Sequence, residues 1–238
     1  MAVRPVFLPK ASGDFLVLAE KTSFTWFAGM AVSQKQKSIE SLHQAAKHQF
    51  GVSRLLEISS KSKDELGVAL SAFNLMITTK KRARVFSVEC AFQSSKVFAN
   101  DVQYLDLLDV TSREAKKDLR IKESGGIKKF RFYDEEWLIN PVTAFYDWLY
   151  VNALNNEPDY HSALDLYDAF TDIEFNPDKS INCQAYSVAL FCSLRRRGLL
   201  DFATQSKDNF LSLYRDYRIS NTYLTEDHQR GTKLYSSE

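Results

Sequence analysis

A chain of 238 residues that is 45% hydrophobic and 26% charged is long enough to bury a core without disulfide staples, and its composition excludes collagen, coiled-coil and low-complexity classes. Its 31 basic and 30 acidic side chains leave a formal net charge of +1, so a nucleic-acid partner has to be held by a local patch and not by an overall basic field. Cys90, Cys183 and Cys192 lack CxxC spacing, the four histidines form no ligand motif, and no apolar run is long enough for a bilayer; we therefore expect a cytoplasmic protein with no metal, no cofactor and no membrane partner.

Taken in chain order, Arg4 to Leu8 and Phe15 to Phe27 read as strands around the turn-like Ala11-Ser12-Gly13-Asp14. Ser33 is the expected N-cap of a first helix whose apolar positions Ile39, Leu42 and Ala46 recur at helical spacing, and Gly51 is its expected stop. Ser59 to Lys63 reads as a polar connection. Phe73 to Thr79 and Val85 to Val88 form a predicted hairpin around Lys80-Lys81-Arg82, and Ser87 caps a predicted helix over Val88 to Phe98. Thr111-Ser112-Arg113-Glu114 matches a capping box, and Gly125-Gly126 ends the charged helix that follows it. Lys128 to Trp137 predicts a second hairpin. Pro141 suits the first turn of a helix with an apolar face of Ala144, Phe145, Trp148 and Leu149, and a last buried helix runs from Asn182 to Arg197 and stops at Gly198. The expected fold class is mainly α with small β-hairpins (α+β): a single domain over 1–218, a β-rich N-terminal extension over 1–60, and a loose tail over 219–238.

The Val88 to Phe98 stretch carries the chemical signal. Glu89, Gln93 and Lys96 recur at i, i+4 and i+7, so on a helix they share one face; a solvated face is the simplest reading of such a stripe, and a site is the alternative. A carboxylate in a helix's first turn is favoured as an anion, of the kind that stabilises an oxocarbenium-like transition state. Asp172 read alone is a loop or capping aspartate, with Asp178 as a rival cap.

The run Leu70-Ser71-Ala72-Phe73, a hairpin, and then Ser87-Val88-Glu89-Cys90-Ala91-Phe92-Gln93-Ser94-Ser95-Lys96-Val97-Phe98 resembles the NADAR (YbiA-like) family, whose signature is Ser-Asn-Phe followed by E-H-x-x-Q-x-x-K-F. The likeness continues through Ser112 to Lys117, Trp137 and Trp148 to Asp172-Ile173-Glu174-Phe175, where that family has D-x-x-W-G, and to Asn182. Ala72 stands for the family's Asn, Cys90 for its His, and Phe175-Asn176 for its Trp-Gly. The whole chain, including Ser33 to Ser38, resembles the branch that accompanies DarT-type DNA ADP-ribosyltransferase toxins.

That resemblance implies an antitoxin which hydrolyses ADP-ribose from guanine bases in DNA, with ADP-ribosylated DNA or ADP-ribose and a DarT-type toxin encoded nearby as its partners. It implies Glu89 and Asp172 as the catalytic pair, Lys96 against the pyrophosphate or base, and Gln93 on a ribose hydroxyl or base edge. Ser71, Asn74, Phe92 and Asn182 are implied to line the pocket, and Trp148 and Phe175 to stack on a base, although core packing is the simpler role for Trp148. Candidates for DNA phosphate contacts are Lys80, Lys81, Arg82 and Arg84, with Lys128, Lys129 and Arg131 behind them; a solvated turn explains the same charges. Arg195-Arg196-Arg197 is better explained by a helix C-terminus than by DNA, and Trp26 or Phe27 is a weaker stacking candidate. Two alternatives remain open: an N-glycosidase of phosphorylated riboflavin-pathway intermediates, and a non-catalytic module that binds ADP-ribose or the toxin.

Overall fold

The computed structural model describes residues 1–79 and 83–220. Strand β1 (Ala2–Pro9) pairs antiparallel with β2 (Val17–Phe24) along its whole length, from Ala2 opposite Phe24 to Pro9 opposite Val17. Pro5 and Pro9 have no N–H to offer a second neighbour, and on its other edge β1 meets the sheet at one pair only, Phe7 opposite Phe170. Helix α1 (Val32–Phe50) packs Ile39, Leu42 and Ala46 against Val6, Phe24 and Ile173. It starts earlier than the sequence predicts: Ala31 is the N-cap and makes no side-chain bond, so Ser33 lies inside the first turn and does not cap. Gly51 does end the helix, at φ 67°, with its N–H on the Lys47 carbonyl.

The N-terminal segment is no appendage. Strand β3 (Leu55–Glu57) runs parallel to a strand from the far end of the chain, β9 (Ala169–Thr171), giving a four-stranded sheet in the order β2-β1-β9-β3. Between β3 and the hairpin lies α2 (Glu65–Ala69), capped by Asp64 on the Leu66 N–H. The expected hairpin is present but shorter, as β4 (Met76–Thr78) and β5 (Val85–Ser87), its tip outside the described residues.

Helix α3 (Val88–Ser94) is capped by Ser87 on the Cys90 N–H as expected, yet it lasts two turns and gives way to strand β6 (Lys96–Phe98). The Ser94 and Ser95 hydroxyls both turn back onto the Ala91 carbonyl, at 3.1 and 2.6 Å, and Val97 and Phe98 favour an extended backbone that pairs with β7 (Ile127–Phe132). The predicted helix over Val88 to Phe98 is corrected on this point: Glu89 and Gln93 share a helical face, and Lys96 opens a strand.

Thr111 and Glu114 form the predicted capping box on α4 (Ser112–Lys117); Asp118 breaks it from α5 (Leu119–Glu123), and β8 (Glu135–Trp137) completes a three-stranded sheet with β6 and β7. Helix α6 (Ala144–Asn155) begins three residues after Pro141, whose peptide bond is cis, so Pro141 precedes the helix and is not in its first turn. The short α7 (His161–Leu164) leads to β9, and α8 (Gln184–Arg196), buried along nearly its whole length, crosses α6. Helices α9 (Leu200–Gln205) and α10 (Lys207–Asp216) close the far side. An aromatic cluster of Phe92, Phe130, Trp137, Phe145 and Trp148 joins α3, β7 and α6, with ring centroids 4.8 to 6.4 Å apart.

Asp147 on α6 is 1% exposed and accepts the hydroxyls of Thr143, Ser187 and Tyr214 at 2.6, 2.6 and 2.8 Å, which fastens α8 and α10 to α6. Arg197, just past α8, donates to the carbonyls of Lys10, Gly13 and Phe15 and so staples the β1-β2 turn. The chain is still docked where a tail was expected to start: Arg218 donates its N–H to the Asp14 carbonyl and Ser220 Oγ accepts from the Ala19 N–H; 221–238 lie outside the described residues. Among the described residues no helix is long and apolar enough to cross a membrane.

Candidate active site

The start of α3 is wrapped by the loop that follows α2. Val88 and Glu89 donate their N–H groups to the carbonyls of Leu75 and Ala72, both at 2.9 Å, and Ser112 donates to the Phe73 carbonyl while sitting 2.8 Å from the capping hydroxyl of Ser87. Glu89, 4% exposed, is thereby fixed against the backbone of residue 72, and its Oε1 accepts from Gln93 Nε2 at 2.8 Å and lies 3.5 Å from Lys116 Nζ. Amide and ammonium together suit a carboxylate. Lys96 holds its Nζ 5.1 Å from the centre of the Phe92 ring. Burial pulls its ammonium down to about 8, Glu89 pulls it back up, and Lys116 adds to the lowering.

The second acid enters from β9. Asp172 directly follows that strand and is 6% exposed; its Oδ1 accepts from the N–H groups of Glu174 and Phe175 at 3.0 and 3.2 Å, and its Oδ2 from Gln184 Nε2 at 3.0 Å. Burial, and then the neighbouring Glu57, raise its carboxyl to about 8. Gln184 is the link between the two acids: its Oε1 accepts the Ala72 N–H at 2.7 Å, and its Nε2 also donates to the Ile58 carbonyl at 2.7 Å. One side chain thus joins the loop holding Glu89 to the carboxyl of Asp172.

Tyr146 on α6 packs beside Phe92 and Tyr150. Burial holds its phenol well above the ordinary value, and the charge of Glu89, then Tyr150, Cys183 and Asp172, pushes the same way. Its ring meets Phe92 edge-on at 5.1 Å, and among the described residues its hydroxyl has no hydrogen-bond partner. Two buried acids joined through Gln184, with Lys96 of lowered basicity near Glu89, make a polar centre suited to proton transfer and to stabilising positive charge.

A model of the DarT1-associated NADAR antitoxins matches residues 2–224. The chain belongs to that family. It is thus an antitoxin-family protein whose counterpart is a DarT-type toxin. No curated protein matches the chain.

Within this NADAR chain the sequence-predicted residues separate into those that gather and those that do not. Glu89, Gln93, Lys96 and Phe92 lie together, and Gln184 ties Asp172 to the Ala72 backbone behind Glu89. Ser71 Oγ and Asn182 Oδ1 are buried with no hydrogen-bond partner among the described residues. Asn74 turns away and donates to the Val68 carbonyl, closing its own loop. Phe175 is 4% exposed and packs in the core with its ring 6.4 Å from Phe7. Trp148 packs on Phe132, Trp137 and Phe145.

Of the phosphate candidates, Lys80, Lys81 and Arg82 lie outside the described residues. Arg84 pairs with Asp109 at 2.6 Å, Lys128 with Asp101 at 2.9 Å and Lys129 with Glu136 at 2.5 Å, while Arg131 donates to Gln103. These are largely surface pairs, weak enough to open for another anion. Trp26 carries Arg4 and Lys35 over its ring, at 5.5 and 4.7 Å. Arg195 pairs with Asp165 and Arg196 donates to the Tyr167 carbonyl, so together with the Arg197 staple this triplet is structural.

Sequence reasoning missed Lys116, Tyr146, Glu57 and Gln184. Lys116 lies in the segment already matched to the family and Gln184 two residues after Asn182, so both positions were within reach of the motif; Tyr146, between Phe145 and Trp148, reads as one more core aromatic.

Proposed function

We propose that this antitoxin is a DNA ADP-ribosylglycohydrolase that removes ADP-ribose from guanine bases. The observation that carries the reading is that the Gln184 side chain ties the loop holding Glu89 to the Asp172 carboxyl, with Lys96 and Lys116 on the Glu89 side. Cleaving the bond between the anomeric carbon and the guanine amino group develops positive charge on the ribose and negative charge on the leaving base, and it consumes a water. Two carboxyl groups supply the countercharge and the proton traffic, while the cations suit the pyrophosphate of the ADP-ribose. Such hydrolysis reverses the lesion that a DarT-type toxin makes, in the compartment where that toxin meets DNA, the cytoplasm.

The test is release of free ADP-ribose from an oligonucleotide ADP-ribosylated on guanine. The parent protein releases it, and Glu89→Ala and Asp172→Ala each lose ~10²- to 10⁴-fold. Release undiminished in both variants overturns the pairing. Absence of release by the parent overturns the activity, and toxin neutralisation that persists in both variants selects a binding module instead.

A further inference from the structure

Glu57 ends β3, belongs to no motif in the sequence, and is 3% exposed. Its Oε2 accepts the Thr171 hydroxyl at 2.7 Å, and its Oε1 accepts the Ile173 N–H at 2.8 Å and the Ser59 hydroxyl at 2.7 Å. Residues 171 and 173 are the two chain neighbours of Asp172. We infer that Glu57 is a positioning residue for catalysis, its carboxylate gripping the chain on both sides of Asp172 so that Asp172 serves as the proton donor and Glu89 as the anion of the pair. This rests on the glycohydrolase reading and assigns the two acids their separate parts within it.

Burial raises the Glu57 carboxyl, and the Ile173 N–H with the Thr171 and Ser59 hydroxyls pulls the other way by bonding its ionised form; an amide, with one acceptor oxygen, cannot take all three. Because the Thr171 hydroxyl hydrogen is committed to Glu57, His43 Nε2–H donates to Thr171 Oγ1 at 2.8 Å, and the imidazole, lowered to about 4 by burial and Lys47, stays neutral. Other groups face the pair from every side. Glu174 adds negative charge; Arg4, from β1, adds the opposing positive charge; Cys183 and the phenols of Tyr146 and Tyr150 are uncharged at neutral pH. Two carboxyl groups in one buried site do not both ionise cheaply. With Glu57 as the anion, Asp172 keeps its proton on Oδ2, which has one donor where Oδ1 has two.

In the resulting step the bond from the anomeric carbon to the base nitrogen breaks with its electron pair leaving on nitrogen, and the Asp172 proton passes to that nitrogen. Water then adds to the anomeric carbon and returns a proton to Asp172. Free ADP-ribose and the unmodified base are released, and the enzyme ends in its starting protonation state.

The experiment titrates the Asp172 carboxyl by NMR in the full chain labelled at aspartate carboxyl carbons, the signal assigned with Asp172→Asn, and compares the parent with Glu57→Gln. Removing the neighbouring charge lowers the Asp172 midpoint by about one unit or more, a tenfold change in its protonated fraction. In the oligonucleotide assay kcat falls ~10²-fold with KM little changed, and the alkaline limb of the kcat profile moves to lower pH. Should Glu57→Gln fail to fold, Thr171→Val cuts one grip and leaves the charge: kcat drops tenfold or more, and Thr171→Ser restores it. An Asp172 midpoint that does not move in folded Glu57→Gln, or Thr171→Val turning over like the parent, overturns the inference. A parent that releases no ADP-ribose overturns the glycohydrolase reading, while the NMR comparison still decides whether Glu57 governs Asp172.

Discussion

Gly67 sits in the middle of α2, where an alanine would ordinarily stabilise the helix by ~0.5–1 kcal/mol. Here the sign reverses. A Cβ built on Gly67 lies 2.0 Å from the Glu57 carbonyl oxygen and 2.5 Å from Ser62 Oγ, against a floor of 3.0 Å for real contacts. The serine hydroxyl can rotate away, but the Glu57 carbonyl belongs to β3, which is paired with β9, and Ile58 next to it donates to the Thr171 carbonyl at 2.8 Å. Either α2 or the end of β3 must therefore yield by about 1 Å, an overpacking that costs ~1–3 kcal/mol and outweighs the gain in propensity. The end of β3 carries the Glu57 carboxylate, so a displacement of that strand by this amount costs ~10²-fold in turnover. We expect Gly67→Ala to lower the urea midpoint and to cut ADP-ribose release from the modified oligonucleotide, both measured on the same preparation. A variant as stable as the parent or more so refutes the close-approach reasoning, and one that is less stable with full turnover refutes the transmission from α2 to the site.

Two further outcomes follow from buried hydroxyls. Burial raises Asp147 from 3.8 to about 6 against the pull of its three hydroxyl donors. A folded-state value above the unfolded one contributes stability that is complete below about pH 4 and lost as pH rises through about 6, roughly 2 units or ~3 kcal/mol. Asp147→Asn does not titrate, so urea unfolding across that window should show the variant gaining on the parent by ~3 kcal/mol as pH rises, and a constant difference would exclude burial as the cause. Tyr146→Phe removes a hydroxyl that bonds no described residue. Its melting temperature should stay with the parent's while ADP-ribose release falls about tenfold, the value of one hydrogen bond in the reacting complex, and equal release would remove Tyr146 from the chemistry.

Local signals were legible wherever a residue acts on its own neighbours. Ser87, the Thr111 and Glu114 box, and Gly51 do what their types and spacing indicate, because a cap or a left-handed stop is decided within one turn. The end of α3 was not legible: nothing in Ser94-Ser95-Lys96 forbids a third helical turn, and the strand there exists because Phe130, more than thirty positions on, pairs with Lys96. Glu57 and β9 were hidden for the same reason, since a three-residue strand shows no period of its own and acquires its meaning from a partner across the sheet. Glu89 was singled out by its place in the first turn of a capped helix, whereas Asp172 was named only through a motif likeness; the bonds that link them run through Gln184 and the Ala72 backbone, and backbone groups leave no mark on side-chain patterns.

The Gln184 amide has two ends that cannot be exchanged, an oxygen that must meet an N–H and a nitrogen that must meet a carbonyl and a carboxyl oxygen. Transplanting the Ser87 to Lys96 segment into another scaffold would therefore carry the residues of the motif but not the pivot that aims them. Slow deamidation at this position would have the opposite fault, leaving every partner in place while setting a new anion against Asp172, so that loss of a single nitrogen would retire an otherwise intact molecule.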